Sequence, residues 1–375
     1  MTGSVIKRKN GYLIRISLGR DANGKRLYHT ETVNDTKKEA ERRCRELVAQ
    51  FERGGVVSQD KVSLNVYLRE WLKVAKKPKI SARTLGDYAD VLERYVEKGI
   101  GRLPLSKVTV LHVQGLYAEM NEKGLSGLTI RNLHSVLNQA FKQAVRWRKI
   151  SFNPAADVEL PTRKRRRVIR AFTKEQAITF LVTVEGKPKG LLFEVALHSG
   201  MRPGEYLGMT WDCVDWDAGT VRVEKAVIRP KGQKPFLGPP KTPESRRTIP
   251  LPASLMRKLR AHRTDQLQER LLAGSGWVDL NLVFPNSLGK IQNERNLTQR
   301  YFKAALKEAG LSKEFRLYDL RHTCATLLLL ANENVKVVAE RLGHASVRLT
   351  LDTYQHVLPS MQEQATQKLA NLLES

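Results

Sequence analysis

At 375 residues the chain is too long for one ordinary core and predicts two or three domains of roughly 100 to 200 residues each. Its 65 Lys and Arg against 38 Asp and Glu leave a net charge of +27, which makes a polyanion, nucleic acid first, the partner to test. A hydrophobic share of 41% with five Trp excludes a disordered basic tail and requires globular cores.

Cys44, Cys213 and Cys324 are far apart and have no CxxC or Cys/His spacing. That argues against a disulfide framework and against a zinc site, and for a reducing, cytoplasmic setting. The opening MTGSVIKRKNGY has no apolar run of the signal-peptide kind, and the longest aliphatic run, Leu327 to Leu330, is far short of a membrane span. No membrane partner is expected, although charge alone leaves open a basic face on an anionic surface.

Residues Tyr12 to Leu18 alternate as a strand does, Asn23-Gly24 is a turn signal, and Lys25 to Val33 resumes the strand pattern, so a hairpin is predicted. Thr36-Lys-Lys-Glu39 reads as a capping box opening a helix with apolar positions at Ala40, Cys44, Leu47 and Phe51, closed by Gly54-Gly55. Residues 1–55 thus form a sheet-plus-helix module with 13 Lys/Arg against 7 Asp/Glu. The charge is either a solubilising face or a DNA contact. A two-stranded ribbon with basic side chains recurring along it fits a major groove.

From Ser63 to Trp147 the period becomes helical, with Leu64, Tyr67, Leu68, Trp71 and Leu72 on one face. Four helices fit, near 63–75, 83–97, 109–123 and 128–148, with Gly99-Ile100-Gly101 and the stretch from Gly124 to Gly127 as joints, giving an all-helical bundle over 60–160. Asn153-Pro154 bars the fourth helix from continuing. The basic run from Pro161 to Arg170 reads as an interdomain linker whose charge is available to phosphates, or as a solvated spacer or localisation signal. A second capping box at Thr173-Lys-Glu-Gln176 opens a block, 171–375, of helices interrupted by two or three strands around 219–250. The predicted class is multidomain and mainly α, with small antiparallel β parts.

Four segments of that block carry the side chains of interest. His198-Ser-Gly-Met-Arg202-Pro-Gly-Glu205 ends one helix at Gly200 and starts another near Pro203, which puts Arg202 at a helix junction. There it can aim a planar fork of donors at a phosphate, or simply pair with Glu205. Pro240-Lys241-Thr puts a lysine at the tip of a β-hairpin, where it is catalytic or merely solvated. Leu317-Tyr318-Asp319-Leu320-Arg321-His322-Thr323 opens an apolar helix on which Tyr318 and Arg321 share a face, while His322 points another way. Leu342-Gly343-His344 is followed ten residues after the histidine by Tyr354. Taken singly, each residue has an ordinary packing or surface explanation.

In order and spacing these motifs, Gly-Met-Arg202-Pro-Gly-Glu, Lys241-Thr, Asp-Leu-Arg321-His-Thr, Leu-Gly-His344 and Thr-Tyr354, resemble the catalytic domain of the tyrosine recombinases, the integrase family of phages and conjugative elements. The likeness spans roughly residues 170–358. The two preceding modules resemble the family's arm-binding sheet and its core-binding helical domain. One position departs: the family most often has histidine three residues before the second arginine, and this chain has Tyr318. A neutral phenol can donate a hydrogen bond but cannot carry an imidazole's partial positive charge near pH 7.

The resemblance implies a site-specific recombinase in which Tyr354 attacks the scissile phosphate, leaving a 3′-phosphotyrosyl link and a free 5′-hydroxyl. Arg202 and Arg321 would stabilise the non-bridging oxygens, His344 would add a hydrogen bond, and Lys241 would protonate the leaving oxygen. No metal or other cofactor is required. The implied partner is double-stranded DNA at core and arm attachment sites, bound by a homotetramer, with accessory DNA-bending or directionality proteins possible. A type IB topoisomerase would use the same residues to relax DNA, and a noncatalytic DNA-binding regulator would keep the folds alone. The intact residue set weighs against the regulator, and a second DNA-binding head weighs against the relaxing enzyme. After the nucleophile, Met361, Ala365, Leu369 and Leu372 mark one face of a tail helix between Pro359 and Ser375, to be buried either in its own domain or on a neighbouring protomer.

Overall fold

The computed structural model describes residues 3–8, 10–20, 26–52, 62–162, 169–230, 232–354 and 360–374. Two compact units divide the chain, Met1–Arg165 and Arg166–Ser375. No described helix is long and apolar enough to cross a membrane.

The first unit opens with three antiparallel strands rather than the two predicted. These are β1 (Gly3–Arg8), β2 (Gly11–Arg20) and β3 (Arg26–Val33), in the order β1-β2-β3. β1 carries the weakest alternation of the three, and it is mostly exposed because it lies at an edge. The Asn23-Gly24 turn lies outside the described residues. Period two sends Ile14 and Ile16 inward against Cys44 and Leu47 of α1 (Lys37–Glu52), while Arg15 stays on the other face and covers the ring of Tyr28 at 3.8 Å. The Thr36 hydroxyl accepts the Glu39 backbone N–H, one half of the predicted capping box. The side chain of Phe51 and the closing Gly54-Gly55 lie outside the described residues.

The bundle follows as α2 (Leu64–Trp71), α3 (Ala82–Tyr95), α4 (Val110–Glu122) and α5 (Gly127–Arg146). All four begin at a Ser or Thr whose side chain accepts a backbone N–H of the first turn: Ser63, Ser81, Thr109 and Ser126. The predicted stripe of Leu64, Tyr67, Leu68 and Trp71 is buried against Leu133, Leu137 and Phe141. Leu72 opens a short π-helical turn, Leu72–Lys76, and is only partly buried. α5 stops at Arg146, well before Pro154, because Arg148 turns into the left-handed region at φ 55°. Linker residues 163–168 lie outside the described residues.

The second unit is built on α6 (Lys174–Val184) and α7 (Gly190–Ser199), α6 opening with the predicted Thr173/Gln176 capping box. Phe180 sits between Phe172, Phe193 and Phe302, with ring centroids 5.3 to 6.0 Å away. α7 ends at Gly200, whose φ of 65° lets the chain reverse into α8 (Pro203–Leu207). β4 (Val214–Asp215), β5 (Thr220–Val223) and β8 (Arg247–Pro250) form one antiparallel sheet, and β6 (Ala226–Ile228) and β7 (Phe236–Gly238) form a separate hairpin. The remainder is helical: α9 (Ala253–Ala273), α10 (Glu294–Asn296), α11 (Lys303–Glu308), α12 (Asp319–Leu330), α13 (Val335–Leu342), α14 (Val347–Tyr354) and α15 (Ser360–Leu373). A small apolar cluster of Ala325, Leu329, Val338 and Leu342 seats α14 through Tyr354.

Phe180→Ala should therefore cost about 3 to 5 kcal/mol of stability in the second unit. Ile178→Ala, on the exposed side of the same helix, should cost less than about 0.5 kcal/mol. Denaturant unfolding of the two variants reads the difference.

Candidate active site

Arg202 stands at the N-cap of α8, directly after the turn at Gly200. Its backbone N–H donates to Glu205 Oε2 at 3.0 Å and its Nη1 donates to Glu205 Oε1 at 2.7 Å. The pairing with Glu205 that the sequence offered is therefore present, and it orients the guanidinium. Nη1 also donates to Ser245 Oγ at 3.2 Å, and Nη2 donates to the Gly343 carbonyl at 3.1 Å. Arg247, at the start of β8, donates to Glu205 Oε2 from the other side at 3.0 Å and to the Ser245 carbonyl at 2.9 Å. Glu205 is thus a buried carboxylate shared by two guanidiniums.

Arg321 lies one turn into α12 and is 1% exposed. Its Nη1 donates to the Gly200 carbonyl at 2.8 Å, and its Nη2 is buried with no hydrogen-bond partner in the structure. A buried donor of a charged group left without a partner is costly and calls for an explanation.

His322 does not point away from the site, as its place beside Arg321 suggested. A helix turns about 100° per residue. With Arg321 aimed at Gly200, the next side chain meets α14, and His322 Nδ1 lies 2.9 Å from the Tyr354 hydroxyl. Tyr318, at the N-cap of α12, is 39% exposed, and its ring meets that of His322 edge-on with centroids 5.1 Å apart. Tyr318 and Arg321 thus differ in burial although they are three apart.

Gly343, in the left-handed region at φ 64°, ends α13 and turns the chain so that His344 follows. His344 Nδ1 is 2.7 Å from Thr350 Oγ1 on α14, and Tyr354 lies one turn further along the same helix. Five of the six predicted residues thus fall on one circuit. It runs from Arg202 to Gly343 and His344, on to Thr350 and Tyr354, across to His322, Arg321 and the Tyr318 ring, and back to Gly200.

Lys241 is the exception, and it is not at a hairpin tip. β6 and β7 pair Ala226 with Gly238 and Ile228 with Phe236, so that tip falls within 229–235. Pro239 and Pro240 cannot donate ladder hydrogen bonds, and the pairing ends ahead of Lys241. The lysine is exposed in the stretch before β8. Its neighbour Thr242 joins the site, with its hydroxyl 3.2 Å from that of Ser245, which in turn accepts from Arg202.

The sequence model of the phage integrase family matches residues 168–361, more than half of the chain. The chain belongs to that family. It is a tyrosine recombinase, of an enzyme class that cleaves and rejoins DNA. A tyrosine recombinase XerC-like protein of Caldanaerobacter subterraneus subsp. tengcongensis is 30% identical, covering 99% of this chain and 98% of its own. The ICEBs1 integrase of Bacillus subtilis is 27% identical, covering 99% of this chain and 100% of its own. Among solved structures, the Tn1549 transposon integrase in complex with circular intermediate DNA superposes with a TM-score of 0.68 at 20% identity, over 82% of this chain and 100% of that one. A lambda integrase tetramer bound to a Holliday junction gives 0.56 at 20% identity, over 91% and 95%. At these identities the structural likeness is one of fold.

The charges of this tyrosine recombinase are set by burial. Desolvation and the neighbouring Arg202 push Arg321 down to about 10, so it remains a cation at neutral pH. Burial, reinforced by Arg321, Arg202, Arg247 and His322, pushes His344 down to about 4 and leaves it a neutral imidazole. Tyr354 is 1% exposed, and burial raises its hydroxyl above the ordinary phenol value although Arg321 opposes this. Glu205 is held below the usual carboxylate value by Arg247 and Arg202, which outweigh its desolvation. Sequence reasoning named Glu205 only as a possible partner and missed Arg247, Ser245, His322 and Thr350. The i, i+4 spacing of Thr350 and Tyr354 was the one signal available for the last of these.

Removing the shared carboxylate leaves buried cations without a counterion, so Glu205→Gln should destabilise the second unit by about 3 to 5 kcal/mol at neutral pH. A carboxylate depressed in the folded state adds stability above its unfolded value, and that stability is lost as pH falls through the folded value. The gap between wild type and Glu205→Gln should accordingly close as pH drops below about 4. Denaturation midpoints measured from pH 7 to pH 3 check both the size and the sign.

Proposed function

We propose that this protein is a site-specific integrase that cuts and rejoins DNA through a 3′-phosphotyrosyl intermediate, and so moves a mobile element or prophage into and out of a chromosome. The observation that carries the reading is a pair of adjacent residues: Arg321, with an unpartnered buried nitrogen, and His322, whose Nδ1 lies 2.9 Å from the Tyr354 hydroxyl. Phosphoryl transfer needs that combination, a positive pocket for the non-bridging oxygens and a nucleophile able to stay attached to phosphorus.

In this reading Tyr354 Oη forms a bond to the scissile phosphorus while the bond to the 5′-oxygen breaks. The phenol proton passes toward His322 Nδ1, its hydrogen-bond partner, and Lys241 supplies a proton to the departing 5′-oxygen. Arg202 and Arg321 bind the non-bridging oxygens, neutral His344 donates to one of them, and the Tyr318 hydroxyl adds a weaker donor. Rejoining is the reverse, with a 5′-hydroxyl from another strand as nucleophile. The buried hydroxyl of Tyr354 marks a resting arrangement that DNA must open.

The same reading assigns residues 1–55 to arm-type sites, 60–160 to core sites, 161–170 to a basic tether and 171–375 to catalysis. The exposed Arg15 and the exposed β1 residues Lys7 and Arg8 suit the first assignment. The mobile-element role draws on relatives called integrases, among them that of ICEBs1. Assembly as a tetramer on two duplexes draws on the lambda integrase tetramer. The tail supports it: on α15 Leu369 is 57% and Leu372 73% exposed, an apolar stripe suited to a neighbouring protomer. The side chains of Met361 and Ala365 lie outside the described residues. Accessory DNA-bending or directionality proteins would act on that assembly.

Tyr354→Phe should keep DNA binding and abolish the covalent protein–DNA adduct on a nicked suicide substrate, because only the hydroxyl is lost. Wild-type protein should in addition turn two-site substrates into Holliday junctions, which a relaxing enzyme does not. Adduct formation by the Phe variant would refute the assignment of the nucleophile.

Lys241→Ala should slow cleavage of ordinary DNA by about a hundredfold or more, on the scale of general acid catalysis. It should spare a substrate with a 5′-bridging sulfur, because a thiolate leaves without a proton. Equal slowing of both substrates in single-turnover cleavage would move the acid role elsewhere.

A further inference from the structure

The phosphate donor His344 is useful only if the nitrogen facing the substrate carries the proton. A neutral imidazole has one donor nitrogen and one acceptor nitrogen, and the partner of one decides the state of the other. His344 Nδ1 lies 2.7 Å from Thr350 Oγ1, and Thr350 is fully buried. Helical threonines elsewhere in this unit, Thr179, Thr183 and Thr323, give their hydroxyl proton to the carbonyl four residues back. The hydroxyl of Thr350 is instead turned to His344. Resting on the integrase reading above, we propose that Thr350 is a positioning residue: its hydroxyl donates to Nδ1 and so holds the His344 proton on Nε2, ready for a non-bridging phosphate oxygen.

Two further observations make the choice of tautomer matter. Arg321, Arg202 and Arg247 all disfavour a second proton on His344, so the ring is neutral and the choice between tautomers is real. Arg202 also donates to the carbonyl of Gly343, which fixes the backbone just before the imidazole and leaves Thr350 to set the ring. A consequence follows from the helix. Thr350 and Tyr354 are one turn apart on α14, so the element that delivers the nucleophile also orients the donor that stabilises its attack. Displacing α14 would remove the nucleophile and unset His344 together.

The test uses the full-length protein with Thr350→Val, which keeps shape and loses the hydroxyl, and Thr350→Ser, which keeps the hydroxyl. In protein labelled with nitrogen-15 at histidine, with His344 assigned by its loss in His344→Asn, the wild type should show an acceptor-type Nδ1 and a protonated Nε2. The Val variant should lose that pattern and the Ser variant should keep it. Single-turnover cleavage of a suicide substrate should fall by about ten- to a hundredfold in the Val variant, the scale of a misdirected oxyanion donor. Affinity for the core site should be unchanged, and the Ser variant should recover most of the rate. A wild-type His344 protonated on Nδ1, or a Val variant that matches wild type in both shifts and rate, would overturn the proposal. Because the tautomer is read without DNA, it stands apart from the recombination assay. A protein that forms no adduct yet shows the expected shifts would refute the integrase reading and not the role of Thr350.

Discussion

The site depends on concentrated positive charge made tolerable by one buried carboxylate. Burial and the neighbouring charges of Arg202 and Arg247 work against the charge on Arg321, and Glu205 pairs with Arg202 and Arg247 at 2.7 and 3.0 Å. Three guanidiniums against one carboxylate leave two formal positive charges. A phosphodiester in its ground state brings one negative charge and its transition state gathers more on the non-bridging oxygens, so on the proposed mechanism such a pocket would bind the latter better. Nη2 of Arg321 remains buried without a hydrogen-bond partner beside this excess charge.

That field governs the other side chains. Together with burial, it keeps His344 neutral, so the histidine is not a fourth cation there, and in the proposed donor role its usefulness depends on which nitrogen holds the proton. It also lowers the cost of ionising Tyr354, although burial more than offsets this while the hydroxyl is covered. Tyr354, the proposed nucleophile, is thus hydrogen-bonded to His322 and seated in an apolar cluster. A buried phenol with a raised proton affinity cannot attack adventitious phosphates, and a recombinase must avoid breaking DNA outside a completed complex.

Tyr318 takes its place in the same network. Where the family most often has an imidazole, this chain has a phenol at a half-exposed helix start, and the imidazole that touches Tyr354 comes from His322, four residues on. The Tyr318 ring packs against His322 edge-on and so supports that ring rather than duplicating it. Such an aromatic pair adds about 0.5 to 1.5 kcal/mol beyond the area it buries.

Much of this was legible in the sequence, because it rests on local rules. Capping boxes announced α1 and α6, the 3.6 period marked the buried stripe from Leu64 to Trp71, and Gly200 with Pro203 located the junction that carries Arg202. The order of five motifs named the family and the candidate site residues, since each motif is short and its spacing is written along the chain. Tertiary structure alone decided how those motifs meet. His322 was misread because sequence position gives the angle of a side chain about its helix but not which element lies at that angle. Lys241 was misplaced because proline ended the strand pairing earlier than the basic, turn-like stretch suggested. The roles of Arg247, Ser245 and Thr350 depend on contacts 43, 42 and 6 residues apart in the chain, through Arg202–Ser245, Arg247–Glu205 and His344–Thr350. The sequence determined which side chains were present and on which elements. Only folding brought them close enough, in a medium of low enough polarity, for one carboxylate to hold two arginines and one hydroxyl to direct a proton.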